Sequence, residues 1–371
     1  MLAELERHPH ARAVLGPALG DPLRPSHAYQ FHGPGGAGKR AAARALAAEL
    51  LADGADDAEN ARLRVAHGTH PDLTWVVPSG AHEMLVSDID EPVIAAAAKT
   101  PFESRRRLFV IERADEMGEE AANRMLKTLE EPASYVHIVL LTDRLAEVLP
   151  TIRSRCQTVR FEAPTEEQAV AAVGRLGLGE QEATACVRLA LQDSERAAEL
   201  ASGEGQTLRA AAEAYARAAL RGTMAGERPW TAMLAAVRGR GEAAGGSLEA
   251  QRTAELELVP RKEQKRLRTA WDERIKRTRR RVQTGALDLG LQIVSLWFAD
   301  LAALSLDAPD LVRNVDRLPQ LQEDRPADRD PRRLRTAIEL VEETRRRFEL
   351  NVSEELACEA LAYRLEQVLA R

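Results

Sequence analysis

A glycine-rich loop between a strand-like and a helix-like segment is the feature that most constrains this 371-residue chain. The segment Gly33-Pro34-Gly35-Gly36-Ala37-Gly38-Lys39 follows the strand-like residues 29–32 and precedes the alanine-rich residues 40–52. In such a loop, glycines let backbone N–H groups surround phosphate oxygens, the helix N-terminus adds its dipole, and the lysine contacts the outer phosphates. The sequence therefore predicts a phosphate-loop fold, whose possible phosphate cradle consists of Gly33, Gly35, Gly36, Gly38 and Lys39.

Strand-like and helix-like segments alternate as far as Pro164. Strands separated by helices favour right-handed crossovers and a parallel sheet that is covered on both faces. Beyond Pro164 the pattern is helical, and it opens with a capping-box pair, Thr165 and Gln168. We therefore predict an α/β phosphate-loop core over residues 1–163, an all-α lid over 164–205 and an all-α C-terminal domain over 206–371. The predicted strands are residues 28–32, 73–77, 108–111, 136–141 and 158–161.

Two polar segments interrupt the helical pattern of the C-terminal half. Residues 238–246 are rich in glycine and charge, and residues 322–331 contain two prolines and many charges. Both compositions are typical of exposed loops.

The phosphate loop lacks the residues that support metal-assisted hydrolysis. The position after Lys39 normally holds a serine or threonine hydroxyl that binds magnesium, and here it is Arg40. The strand-like residues 107–111 end in Glu112-Arg113, where an acidic pair is expected. Glu112 still has a carboxylate for a metal or a water, whereas Arg113 replaces a catalytic glutamate. We predict no ATP turnover by this chain alone and no required cofactor. Static binding of ATP or ADP by the loop stays open.

Composition excludes several other classes of protein. Cys156, Cys186 and Cys358 lie far apart, without a CxxC pair, which argues against structural zinc and against a disulfide scaffold and suits a reducing cytoplasm. No run of 18 or more apolar residues occurs, and no apolar segment follows the charged residues 1–12, so we expect neither a membrane-spanning helix nor a secretory signal. The net charge of −6 gives no overall preference for nucleic acid.

Several motifs resemble, in the same order, those of the clamp-loader ATPases of bacterial DNA polymerase III. Residues 123–132, Asn-Arg-Met-Leu-Lys-Thr-Leu-Glu-Glu-Pro, resemble the helix and turn after the acidic strand of that family. Residues 151–156 resemble its Ser-Arg-Cys motif, and the segments His27-Ala28-Tyr29 and His70-Pro71-Asp72-Leu73 match as well. Residues 351–365 resemble the last helix of its collar domain. The chain is thus similar to the AAA+ clamp-loader family.

The resemblance implies an AAA+ core, a helical lid and a helical collar that packs with four other subunits. Active motor subunits of the family keep a Lys-Ser/Thr and an Asp-Glu pair, so Arg40 and Arg113 match a subunit that does not hydrolyse ATP. The implied partners are the gamma/tau motor and delta subunits of a hetero-pentamer and, through this complex, the sliding clamp and primed DNA, with no membrane contact. The implied process is DNA replication, as part of the polymerase holoenzyme. A catalytically active motor-type ATPase is the alternative.

The resemblance also assigns roles to individual residues. Arg155 matches an arginine finger that reaches the γ-phosphate held by a neighbouring subunit, a role that suits a planar, permanent charge; the alternative is a local salt bridge, for example with Glu162. Ser154 and Cys156 are expected to position the turn. Thr142 matches a phosphate-sensing polar residue or caps its strand, and Arg196 matches a second sensor or is a surface arginine.

One departure concerns zinc. Many relatives carry a four-cysteine zinc module where this chain has residues 53–70, which contain no cysteine. His67 and His70 cannot form a closed tetrahedral site by themselves. We therefore expect no zinc and interpret the segment as a solvated loop or short helix.

Residues 261–281 carry eleven Lys or Arg residues against three acidic ones. Leu267, Trp271 and Ile275 are spaced as one apolar stripe on a helix. The segment is interpreted as a solvated helix that docks by this stripe, as a contact to the DNA backbone, or as a contact to an acidic partner. A free DNA-binding protein is a third, weaker function that this segment allows.

Overall fold

The computed structural model describes residues 5, 8–20, 23–80, 83–258, 261–325, 331–348 and 352–370. The chain divides into two compact units, Met1–Pro164 and Thr165–Arg371. The N-terminal unit contains a five-stranded, fully parallel sheet in the order β2-β3-β4-β1-β5. Its strands are β1 (Ala28–His32), β2 (Leu73–Val76), β3 (Arg107–Ile111), β4 (Val136–Thr142) and β5 (Gln157–Arg160), and its longer helices are α1 (Pro9–Leu19), α2 (Lys39–Ala52), α3 (Ala58–His67) and α4 (Glu119–Glu130).

Helices cover both faces of this sheet. Successive side chains of a strand point to opposite faces, and in β3 Leu108 and Val110 pack in a cluster with α1 and α2, whereas Phe109 and Ile111 pack in a second cluster with α4. All seven residues of the central strand β4 are buried, as expected for a strand covered on both sides. The predicted α/β core is confirmed.

The C-terminal unit is helical in the part of the chain that the structure describes. Its first helix begins with the predicted capping box, because Thr165 and Gln168 each accept a hydrogen bond from the other's backbone N–H, at 3.3 and 3.2 Å. One continuous cluster of buried residues extends from Ala169 to Leu369. The division into lid and collar stays a prediction. The longer helices are α5 (Glu166–Gly174), α6 (Glu180–Leu189), α7 (Ser194–Ala201), α8 (Gly203–Arg221), α9 (Trp230–Leu258), α10 (Arg261–Ser305), α11 (Pro331–Arg347) and α12 (Glu354–Leu369).

The prediction of an exposed loop at residues 238–246 is wrong, because this segment lies inside α9. Its glycines serve close packing instead of a turn. A Cβ atom on Gly241 would lie 2.6 Å from the side chain of Gln283, and one on Gly245 would lie 2.1 Å from that of Arg279. The glycines therefore let α10 approach α9, and this packing overrides their weak helix propensity.

The second predicted loop lies partly outside the described residues. A short helix, Leu318–Glu323, occupies its start, and α11 begins at Pro331. Pro331 at the first position of a helix is favourable because its missing N–H has no intrahelical partner there. Residues 326–330 and Asn351, which belongs to the predicted collar motif, are outside the described ranges.

One helical stretch of the described chain, Leu267–Ser305, is apolar and long enough to cross a membrane by length and composition. The expectation that no helix spans a membrane stays a prediction. Of its apolar window, 78% is buried inside the structure, so packing within the helical unit accounts for the apolar composition.

Candidate nucleotide-site and arginine-finger residues

The sheet gathers the predicted site residues at one edge. In a parallel sheet the carboxyl ends of the strands share an edge, where ligands bind. The order β3-β4-β1 places the ends of these three strands side by side. Glu112 follows β3, Thr142 ends β4, and the glycine loop follows β1. The structure thus brings together the loop, Glu112 and Thr142, which are far apart in the sequence.

The loop has the backbone conformation of a glycine-dependent turn, and its role as a phosphate cradle stays a prediction. Gly33, Gly36 and Gly38 have φ angles of 145°, 72° and 90°, a region that side chains disfavour. At Gly33 a Cβ atom would lie 2.3 Å from the carbonyl oxygen of Phe161. Helix α2 begins directly after the loop, at Lys39. The loop geometry therefore requires these glycines, and the helix N-terminus faces it.

Lys39 is turned onto its own loop. Its Nζ donates to the carbonyl oxygens of Gly33 at 2.5 Å and Pro34 at 2.7 Å, and it pairs with Asp143 Oδ1 at 2.7 Å. The lysine side chain is only 7% exposed. An ammonium group has three N–H donors, and all three have partners here. The sequence analysis did not identify Asp143. Its position directly after β4, the strand next to β1, could have indicated that its carboxylate lies near the loop.

Arg40 forms an ion pair with Glu112. Its guanidinium donates to Glu112 Oε2, while the indole N–H of Trp75 donates to Glu112 Oε1 at 2.7 Å. The Glu112 side chain is 7% exposed and that of Arg40 is 49% exposed. Magnesium needs oxygen ligands in near-octahedral geometry, and a guanidinium has donors only. With both carboxylate oxygens of Glu112 engaged, these residues do not fit a magnesium ion.

Arg113 and Trp75, the neighbours of Glu112 in the sequence and in the site, make contacts of their own. Arg113 has a φ of 51° and pairs with Glu116 at 2.7 Å, with about half of its side chain exposed. The guanidinium carbon of Arg44 lies 5.1 Å from the ring centroid of Trp75, within cation–π range. Trp75 was missed by sequence reasoning, because nothing local to β2 indicates that its indole meets a carboxylate 37 residues later.

Thr142 uses its hydroxyl within the N-terminal unit. It donates to Asp115 Oδ1 at 2.6 Å and accepts from the backbone N–H of Arg144 at 3.0 Å. Arg144 pairs in turn with Asp115 at 3.1 Å. The residue is buried, with 1% exposure. These contacts are those of a strand-end cap, and a phosphate-sensing role stays a prediction.

Arg196 is held by a later helix of its own unit. It donates to Gln292 Oε1 at 3.0 Å and to Asp288 Oδ2 at 3.2 Å, both on α10. Arg345 shares Asp288, at 2.9 Å. Arg196 is therefore fixed in an ion-pair network and not a free surface arginine, and its role as a second sensor stays a prediction.

Arg155 lies at the end of the short helix Pro150–Arg153 and next to the end of α4. One guanidinium nitrogen contacts Glu130, and the other donates to the carbonyl oxygen of Thr151 at 2.7 Å and to Ser154 Oγ at 3.3 Å. About a third of the Arg155 side chain is exposed, 32%. The sequence analysis considered a salt bridge between Arg155 and Glu162 as the alternative, but Glu162 pairs with His8 at 3.1 Å and with Arg160 at 3.4 Å. The sequence analysis did not identify Glu130 as the partner of Arg155.

Cys156 is unsuited to nucleophilic chemistry. Burial raises the pKa of its thiol to about 12, so the reactive thiolate is scarce near neutral pH. Ser154 Oγ donates to the carbonyl oxygen of Thr151 at 3.2 Å, a contact that shapes the turn. These observations agree with positioning roles for both residues, which stay predictions.

The segment without cysteines forms a helix, α3, capped by Asp57, whose side chain accepts from the backbone N–H of Asn60. His70 is 3% exposed and its Nδ1 accepts from the backbone N–H of Asp72 at 3.1 Å. In the part of the chain that the structure describes, no group of three or more His, Cys, Asp or Glu residues is arranged to hold a metal ion.

The matches with known proteins fall on the N-terminal unit. Residues 21–165 match the family described as "DNA polymerase III, delta subunit". DNA polymerase III subunit delta′ of Bacillus subtilis (strain 168) is 40% identical over 153 residues, which are 40% of this chain and 45% of that protein. The delta′ subunit of Pseudomonas aeruginosa PAO1 is 36% identical over 148 residues, 38% of this chain and 45% of that protein.

A second kind of DNA polymerase III subunit is also similar to this chain. The gamma/tau subunit of Mycobacterium bovis is 33% identical over 164 residues, 43% of this chain and 28% of that protein. The chain thus spans less than half the length of these curated relatives. The matched region contains the loop, Glu112 and Arg155, so the resemblance to clamp-loader subunits is confirmed over these residues.

Proposed function

We propose that this chain, whose N-terminal residues match the DNA polymerase III delta-subunit family, acts as the delta-prime subunit of the clamp loader. In this role it joins gamma/tau motor subunits and delta in a hetero-pentamer that places the sliding clamp on primed DNA. It is a cytoplasmic subunit of the replication machinery and has no ATPase activity of its own. Its catalytic contribution is Arg155, offered to a nucleotide bound by a neighbouring subunit.

The ion pair between Arg40 and Glu112 is the observation that carries the non-hydrolysing role. Metal-assisted phosphoryl transfer needs a cation that bridges the phosphates and a carboxylate or hydroxyl that holds the cation. Here the carboxylate of Glu112 is engaged by Arg40 and Trp75. ATP or ADP, if it binds at Gly33–Lys39, must displace the contacts of Lys39 with the carbonyl oxygens of Gly33 and Pro34.

The surroundings of Arg155 support its role as a finger. One guanidinium nitrogen of Arg155 donates hydrogen bonds to the carbonyl oxygen of Thr151 and to the hydroxyl of Ser154, and both bonds hold the side chain against its own turn. The contact to Glu130 is a partly exposed ion pair, with 32% and 47% exposure of the two side chains. Such a pair contributes only about 0–1 kcal/mol. A neighbour's triphosphate therefore competes readily with Glu130 for this charge.

A motor-type ATPase is the alternative, favoured by the similarity to gamma/tau. It predicts Mg²⁺-dependent ATP hydrolysis by the purified chain, abolished by Lys39→Ala. The delta-prime proposal predicts no hydrolysis above background in the same assay.

Arg155→Ala is the direct test, in a clamp loader reconstituted from gamma/tau, delta and this chain. We expect normal assembly by gel filtration, while the neighbouring site loses at least about tenfold in hydrolysis rate, so that DNA-stimulated turnover of the complex falls. Arg153→Ala is the matched control, because Arg153 is an exposed arginine of the same turn. Unchanged ATPase and clamp loading by the Arg155 variant would exclude the finger.

A further inference from the structure

The helices α9 and α10 form an antiparallel arm of the helical unit. Gly241 lies against Gln283, and Arg252 pairs with Asp272. The residue numbers thus rise along α9 while those of the partners on α10 fall, as in two antiparallel helices. We define the arm as residues 240–283. Among the described residues, none between Val237 and Ala286 belongs to the main core cluster of the unit. The arm is instead closed by its own seam, in which Trp271 and Ile275 are 7% and 4% exposed.

Charge is strongly segregated onto this arm. It contains thirteen Lys or Arg residues and seven Asp or Glu residues, a formal charge of +6. Since the whole chain carries −6, the remainder carries −12. Segregation of this kind creates a local positive potential that a net-charge argument hides.

Part of the positive charge is neutralised within the structure. Arg252 pairs with Asp272 at 2.5 Å. Arg279 pairs with Glu249 at 2.7 Å and Glu242 at 3.3 Å. These ion pairs connect the two helices, so Arg252 and Arg279 mainly stabilise the arm itself.

Among the described side chains of the arm, four exposed basic residues take part in no ion pair, and one of them, Arg274, lies 4.8 Å from the ring centroid of Trp271. Lys265, Arg268 and Lys276 are exposed, and none of them has an ion-pair partner among the residues that the structure describes. At 3.6 residues per turn they lie within an arc of about 80° on one face of α10, and at 1.5 Å per residue they span about 16 Å along it. Asp272 lies in the same arc, but its carboxylate pairs with Arg252. The helix therefore presents a row of three cations on this face, with one carboxylate between them that is already paired.

We propose that this row binds the phosphate backbone of duplex DNA. A row of unpaired cations about 16 Å long matches a polyanion with one phosphate per 3.4 Å of each strand, and binding would release condensed counterions. A membrane surface fits less well, because interfacial helices bury an apolar face beside a basic one. In the arm, Trp271 and Ile275 are already buried in the seam.

The test is fluorescence anisotropy of a labelled short DNA duplex titrated with the full chain, at several salt concentrations between about 50 and 200 mM. The arm variant is Lys265→Glu/Arg268→Glu/Lys276→Glu. The control is Arg325→Glu/Arg335→Glu/Arg346→Glu, which makes the same charge change at exposed positions elsewhere in the helical unit. Circular dichroism checks that both variants keep the helical content of the unmodified chain.

We expect the unmodified chain to bind DNA with a salt-dependent affinity. The arm variant should lose about tenfold or more at the lowest salt, and its slope of log affinity against log salt should fall by about three, since each lost phosphate contact removes about 0.9. The control should stay within about threefold of the unmodified chain. Equal losses in both variants overturn the proposal, as does the absence of salt-dependent DNA binding by the unmodified chain. These outcomes are independent of Arg155, which is tested by the ATPase activity of the assembled complex.

Discussion

The ion pair between Arg40 and Glu112 makes a quantitative prediction about the degenerate nucleotide site. Glu112 is almost buried and accepts two hydrogen bonds, one from Arg40 and one from Trp75. Arg40→Ser removes one of these partners. A hydrogen bond to a charged group contributes about 1.5–3 kcal/mol to stability, but Arg40 is 49% exposed and solvent screens the pair. We therefore expect the free energy of unfolding to fall by about 1 kcal/mol.

A double-mutant cycle isolates the pair from other effects. Arg40→Ser, Glu112→Gln and the double variant are unfolded in urea as full chains. The 19F signal of 5-fluorotryptophan at Trp75 reports on the N-terminal unit, since the other three tryptophans lie after Pro164, and Trp75→Phe assigns the signal. We expect a coupling free energy of about 1 kcal/mol between positions 40 and 112.

Arg62→Ser provides the matched control for this cycle. Arg62 is 46% exposed, close to the value for Arg40, but it pairs with Glu49. Its cycle with Glu112→Gln should give a coupling below about 0.3 kcal/mol. If the Arg40 cycle gives a coupling as small as the control, or if Arg40→Ser stabilises the chain, the argument that Arg40 supplies the cation for Glu112 fails.

Two further predictions concern stability. Burial lowers the pKa of His137 to about 4; because this is below the unfolded value near 6.5, protons bind preferentially to the unfolded chain, so the free energy of unfolding should fall by about 2 kcal/mol between pH 7 and pH 5. In urea titrations at both pH values, His137→Gln should remove that part of the loss, and an unchanged pH dependence would contradict the assignment. Asp316→Asn should lower the free energy of unfolding by about 3 kcal/mol, because it breaks the ion pair between Asp316 and Arg209, whose side chains are 4% and 2% exposed. Glu323→Gln, whose carboxylate is 71% exposed in its pair with Arg217, should cost less than about 0.5 kcal/mol in the same thermal or urea unfolding measurement.

Local sequence patterns were enough to predict the architecture of the N-terminal unit. The strand positions, the glycine loop and the capping box at Thr165 depend on residues within a few positions of one another, and the structure has all of them. The replacement of the magnesium-binding hydroxyl by Arg40 was also visible directly. Such features follow from backbone sterics and side-chain periodicity, which act over short distances along the chain.

The partners of the site residues depended on the tertiary structure. Arg40 meets Glu112 across 72 positions, and Arg155 meets Glu130 across 25. Which carboxylate faces which cation is set by the strand order and by helix packing, and no local pattern encodes either of them. Residues 238–246 are helical for a tertiary reason as well. Because Gly241 and Gly245 have no side chains, α10 packs closely against this part of α9. The sequence by itself thus determined which chemical groups the chain carries, and the tertiary structure decided which of them neutralise one another.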